Sequence, residues 1–234
     1  MRVPALRSIT LAAALALAAA APAAAQDAAP ATGGVQATIG QPGLTVSPGA
    51  LLNRTLTIRG QVEQGAAGRS VAIERQLPFG TWQQIATSTV DAEGRFRALW
   101  KTDTLGRATL RAQVDNGGTA TAAATPLTAQ TTIFTGAVAS WYGPGFWGRR
   151  TECGMTLRRK TVGVAHKTLP CGTDVEIYYK GKTLTVPVID RGPFKKGRDW
   201  DLTQAAAEQL GVKATVRVGV LPPPEAAVAA KKKR

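Results

Sequence analysis

The chain has 234 residues, with 29 Lys and Arg against 15 Asp and Glu, a formal charge of +14, one histidine and two cysteines. One histidine among scattered acids gives no metal-ligand spacing, so neither a metal site nor a cofactor is expected. The positive excess fits an anionic partner, or simply a chain kept soluble by its charge.

Residues 1–25 carry Arg2 and Arg7, an Ala/Leu run from Leu11 to Ala21, and Ala23-Ala24-Ala25 before Gln26. This is the pattern of a cleavable secretory signal. It predicts an exported, wall-associated protein without a transmembrane segment, and no cysteine sits at the cleavage point to take a lipid. Losing the signal removes two arginines and no acid, so +14 becomes +12. Export argues against nucleic acid as a partner and for anionic wall polymers or lipid head groups, which the basic end Lys231-Lys232-Lys233-Arg234 would meet.

A linker over 26–34 leads into residues 35–132, where short alternating runs predict strands. They are Leu56 to Gly60, Ser70 to Arg75, Trp82 to Val90, Arg95 to Trp100 and Ala108 to Val114. Asp91-Ala92-Glu93-Gly94 and Asp115-Asn116-Gly117-Gly118 punctuate them. The spacing predicts a β-sandwich of six or seven strands, similar to immunoglobulin-like modules. Trp82 and Trp100 are either sugar-stacking platforms or core, and nothing in this half reads as catalytic.

Residues 133–222 form the second predicted domain, followed by a basic tail over 223–234. Alternation through Val138 to Tyr142 breaks into a loop holding Phe146 and Trp147 among glycines. Strands are predicted over Thr173 to Tyr179 and Thr183 to Ile189, with Gly181-Lys182 as the hairpin turn. Trp200 to Gly211 reads as a short helix capped by Thr203 and stopped at Gly211, before a last strand from Ala214 to Val220. The apolar run Val186 to Ile189 ends in Asp190-Arg191-Gly192-Pro193-Phe194, a carboxylate and a guanidinium set at a turn, as a cleft mouth requires.

Five segments of this half occur in the order found in rare lipoprotein A, the septal-ring lytic transglycosylase family. They are Ser140-Trp141-Tyr142-Gly143, Gly163 to Pro170, Gly172-Thr173, Asp190-Arg191-Gly192-Pro193 and Asp201-Leu202-Thr203. The resemblance covers roughly residues 136 to 221. It implies a six-stranded double-psi β-barrel with one short helix, the fold also used by expansins, and so an all-β chain. It also implies endolytic cleavage of peptidoglycan between N-acetylmuramic acid and N-acetylglucosamine to 1,6-anhydro products. The alternative is a non-catalytic, expansin-like wall-loosening protein that grips glycan strands.

Asp190 matches the family's catalytic aspartate, as the acid that protonates the leaving oxygen. Burial by Val188, Ile189 and Phe194 would help it hold a proton, whereas pairing with Arg191 would leave it a plain turn residue. His166 matches the motif histidine, to assist catalysis or to serve structure. Tyr142, Trp141 and Phe146 are candidates for sugar stacking, and Arg191, Asp201 and Glu152 for polar substrate contacts. Asp201 resembles the acid of the expansin motif and is otherwise a capping group beside Thr203. Cys153 and Cys171, in an exported chain, read as a disulfide, with a His166-activated thiol as the competing reading.

The sequence departs from the family at Met155 and Arg158, where two acids are customary. A hydrolase needs two carboxyl groups. A transglycosylase uses the substrate's own 6-hydroxyl, so one carboxyl group serves as acid and then base, and the loss weighs less.

Overall fold

The computed structural model describes residues 43–63, 65–115 and 127–222. The signal, the linker, the basic tail and most of the turn at Asp115-Asn116-Gly117-Gly118 lie outside the described residues. Within them the chain is β structure with a single α-helix. No helix among the described residues is long and apolar enough to cross a membrane.

Strands β1 (Gly43–Val46), β3 (Thr55–Gln61) and β6 (Arg95–Lys101) form an antiparallel sheet in the order β1-β3-β6. Facing it, β5 (Trp82–Thr89), β4 (Ser70–Gln76), β7 (Gly106–Val114) and β8 (Leu127–Tyr142) are neighbours in that order, and β2 (Gly49–Leu51) lies parallel to β8. Period-two alternation causes this layering. In β6, Phe96, Ala98 and Trp100 turn inward while Arg95, Arg97, Leu99 and Lys101 face solvent. Both sheets contribute to one core that includes Ile58, Val71, Ile73, Leu110 and Ile133, all without solvent exposure. Trp100 belongs to that core. Trp82 is half-buried and stacks under Arg111, whose guanidinium carbon sits 4.1 Å from the ring centroid.

The barrel reuses the far end of β8 and adds β9 (Val164–Ala165), β10 (Asp174–Tyr179), β11 (Lys182–Asp190), β12 (Trp200–Thr203) and β13 (Val216–Leu221). Their order is β12-β9-β11-β10-β13-β8, and β12 pairs back onto β8, so six strands close on themselves. Val164, Ile177, Val186, Val188 and Leu202 fill the interior. Helix α1 (Gln204–Leu210) follows β12. Thr203 Oγ1 accepts from the Ala206 N–H at 3.3 Å at its start, and Gly211 ends it in the left-handed region.

Three expectations change in detail. The β10–β11 turn is Lys180-Gly181 rather than Gly181-Lys182, because Tyr179 pairs with Lys182 and the two central residues have φ of 46° and 85°. Both positive values are what a two-residue primed turn demands. Trp200–Thr203 is a strand rather than helix, since its four residues pair in parallel with Ala139 to Tyr142. The expected domain limit at 132/133 falls inside β8, which runs unbroken from sandwich to barrel.

Candidate active site

Strand β11 ends at the carboxylate of interest. Val188 pairs with Val164 and Asp190 with Ala165, so β11 carries one extra residue against β9. Such a bulge re-aims the side chain that follows it. The bulged Ile189 is buried against Gly163, where an added Cβ would stand 2.7 Å from the Ile189 Cδ1. Asp190 is thereby held half-buried at the rim.

Its Oδ1 accepts two backbone N–H groups, from Arg191 at 2.8 Å and Glu152 at 3.0 Å. The Tyr142 phenol also bears on this carboxyl. Arg191 forms no ion pair with it there: the guanidinium instead donates to the His166 carbonyl at 3.4 Å and to Cys171 Sγ at 3.4 Å. The turn-locked pair that would have tied up the carboxylate is therefore absent from the described residues. Burial beneath Asp190 comes from Val188 and Ile189, at 0 % and 1 % exposure, whereas Phe194, expected to help, stands 84 % exposed at the rim.

Asp190, Ala165 and Asp201 lie in one row across β11, β9 and β12, which continues to Ser140 on β8. Ser140 Oγ donates to Asp201 Oδ1 at 2.8 Å. Burial raises the Asp201 carboxyl above its usual value and the Asp190 charge adds to this, while the Ser140 hydrogen bond and Arg198 oppose it. Tyr142, two residues beyond Ser140, has a buried hydroxyl that lacks a hydrogen bond of full geometry. Burial first, then the charges of Asp190 and Asp201, push this phenol above its usual range, so it stays a proton donor facing the acids.

His166 reaches Asp190 through the backbone, its N–H donating to the Asp190 carbonyl at 3.1 Å. The ring packs on Trp200 with centroids 4.2 Å apart, and Nδ1 accepts the N–H groups of Thr168 at 3.2 Å and Leu169 at 3.0 Å. That fixes the neutral tautomer with the proton on Nε2. Burial, then Arg191 and Lys167, lower its pKa, with Asp199 opposing.

A cavity of about 190 Å³ gathers Tyr142, Phe146, Glu152, Asp190 and Arg191, together with Arg149, Arg150, Thr151, Leu157 and Phe194. His166 and Trp141 are outside this lining. Trp141 donates from Nε1 to the Lys213 carbonyl at 3.3 Å. Phe146 meets Tyr142 edge-on at 6.1 Å and, with Trp147, Met155 and Phe194, exposes an apolar rim. The loop bearing Glu152 is fastened by the Cys153–Cys171 disulfide, which excludes the free-thiol reading. Exposed Met155 and Arg158 occupy the same loop.

Sequence reasoning missed the backbone N–H of Glu152 as an Asp190 partner, and missed Arg149 and Arg150 as cavity walls, while it expected Phe194 to bury Asp190 rather than to stand at the rim. Among the described residues no three metal-ligating side chains converge. A larger groove, about 600 Å³, lies on the sandwich and lacks the acid–phenol grouping.

A family model described as "Lytic transglycolase" matches residues 135–222. The "Probable endolytic peptidoglycan transglycosylase RlpA" of Synechocystis sp. is 46% identical over 79 residues, covering 33% of this chain and 25% of the relative. The similarly named protein of Aquifex aeolicus is 43% identical over 86 residues, covering 36% and 37%. The "Endolytic peptidoglycan transglycosylase RlpA" of Campylobacter jejuni is 44% identical over 75 residues, covering 31% and 27%. The chain thus spans between a quarter and little over a third of the length of these relatives. The closed six-stranded barrel occupies the residues that this family model matches, and it is over this part of the chain that the sequence is similar to the RlpA proteins.

Proposed function

We propose that the protein is an exported, wall-associated endolytic peptidoglycan transglycosylase. Asp190 delivers a proton to the oxygen between N-acetylmuramic acid and N-acetylglucosamine, and that C–O bond breaks with an oxocarbenium-like centre developing at C1. The muramic 6-hydroxyl then attacks C1 and gives its proton to the Asp190 carboxylate. The products are a 1,6-anhydro end and a free N-acetylglucosamine end, with no water consumed and the acid regenerated.

The observation that carries this reading is the setting of Asp190, one oxygen fixed by two N–H groups and the carboxyl lining a cavity that it shares with the Tyr142 phenol. Fixing Oδ1 orients the carboxyl group, as preorganised catalysis requires. Tyr142 acts as the facing donor, Phe146 and Phe194 stack on sugar rings, and Glu152 and Arg191 make polar contacts. His166 serves through its backbone and by shaping the 166–169 turn, which sets Arg191. Asp201, its carboxyl raised above the usual value by burial and held by the Ser140 hydroxyl, flanks Asp190 across the row.

Mass spectrometry of peptidoglycan digests tests the proposal. Anhydro-muropeptides at any pH between about 4 and 8 support it, and their absence throughout overturns it. The second reading, a gripping module that does not cut, draws on Met155, which is 45 % exposed in the loop where an acid would serve hydrolysis.

A further inference from the structure

The sandwich carries a groove that the barrel chemistry does not use. It spans the outer face of β1-β3-β6 toward β5, has a volume of about 600 Å³, and is lined by Thr45, Gln61, Ser88, Arg59, Arg95 and Arg97 among others. Arg59 and Arg97 are direct partners across β3 and β6. Opposed residues hold their Cβ atoms roughly 5 Å apart, and like charges so placed repel. Neither guanidinium has an acidic partner among the described residues. Arg95, two residues along the same face, is neutralised by Asp91 at 3.0 Å and Glu93 at 2.8 Å. Two uncompensated guanidinium forks therefore share one spot, with Thr45 opposite Arg59.

A fold gains nothing from such a pair, since a Gln at either position would keep the strand pairing and remove the repulsion. A carboxylate lying between the forks turns the repulsion into attraction, through bidentate, charge-assisted hydrogen bonds. We infer that this groove is a binding site for the carboxylates of the short peptides on peptidoglycan, so that the sandwich holds peptide-bearing wall while the barrel cuts its glycan. The inference rests on the proposal that peptidoglycan is the substrate.

The test is cosedimentation of the whole protein with intact sacculi and with sacculi stripped of their peptides by an amidase, for wild type and for R59Q/R97Q. Wild type is expected to favour the intact material, with the preference fading as salt screens exposed charge. The double variant should lose about tenfold in binding to intact sacculi, bind stripped glycan as wild type does, and melt at the same or a higher temperature. Polyglutamate should release wild type from intact sacculi more effectively than polyphosphate at equal charge. Equal binding of wild type to both materials, an unchanged R59Q/R97Q, or preference for polyphosphate would overturn the inference. Cleavage of stripped glycan, scored in the same samples, reports on the barrel alone, so the two readings fail separately.

Discussion

Replacing both Cys153 and Cys171 with serine should injure the proposed catalysis more than it injures the fold. The disulfide closes a separation of 18 residues. By loop-closure entropy a bridge of that size contributes about 3 kcal/mol, chiefly by restricting the unfolded chain. For an ordered body of this size such a loss lowers the melting temperature by roughly 6–12 °C, leaving a folded protein at 25 °C. The structure adds a local consequence. The bridge joins the loop carrying Glu152, whose N–H holds Asp190 Oδ1, to the turn where Cys171 Sγ accepts from Arg191. Freed of it, the loop no longer fixes the carboxylate, and a misplacement near 1 Å costs on the order of a hundredfold in rate. The assay is anhydro-product formation at a temperature well below the melting transition, alongside a thermal melt of the same sample. A melting shift with full activity would refute the positioning argument and leave the disulfide a staple only.

Asp190→Asn preserves an acceptor for both N–H groups but cannot exchange a proton, so activity should fall by about 10²–10⁴ while the melting curve barely moves. Equal activity would remove Asp190 from the mechanism. Tyr142→Phe removes a buried hydroxyl without a full hydrogen bond. Stability should therefore hold or rise by up to about 1 kcal/mol while anhydro-product formation drops, and a clear loss of stability would show a hidden partner. For Asp201 the folded carboxyl binds its proton more tightly than the unfolded one, whose value is 3.8. Its contribution is thus fully present below about pH 3.8 and is lost as pH rises through the raised value. Asp201→Asn should accordingly stabilise at pH 7 relative to pH 3, read as the difference in urea midpoints, and the opposite sign would contradict the burial argument.

The strands were legible because their alternation is strict. Phe96, Ala98 and Trp100 alternate with Arg95, Arg97, Leu99 and Lys101, three of them charged, and this period of two marks a strand. Helix α1 was legible from its ends, a Thr that caps and a Gly that stops. Strand β12 was not, because the four residues Trp200–Thr203 show no period, and only closure of the barrel against β8 and β9 makes them a strand. Within the site, the carboxylate and the phenol stood out as residue types in motifs. The partner that fixes Asp190 is a backbone N–H, and every residue but proline has one, so Glu152 carried no mark of that role. The Asp190–Ala165–Asp201 row was equally hidden, since the β11–β9 and β12–β9 pairings join segments far apart in the chain and no local pattern encodes them.

The junction between the two halves bears on how they would share a polymer. β8 belongs to both the sandwich sheet and the barrel, and its 16 residues span roughly 50 Å. At the seam Phe134 stacks on Tyr178 with centroids 5.1 Å apart and planes inclined by 7°. A Cβ added at Gly49 or Gly219 would meet the Phe134 side chain at 2.8 or 2.7 Å, so the glycines let the strands close on that ring. Ser47 and Tyr178 share a hydroxyl–hydroxyl hydrogen bond of 3.2 Å, and Arg107 pairs with Glu176 at 2.7 Å. A flexible linker would let a bound strand wander relative to the cleft, diluting its effective concentration. A continuous strand packed on a buried aromatic ring instead ties the Arg59–Arg97 groove to the Asp190 cavity, so under the two proposals a polymer held by one would reach the other only at a set distance along its length.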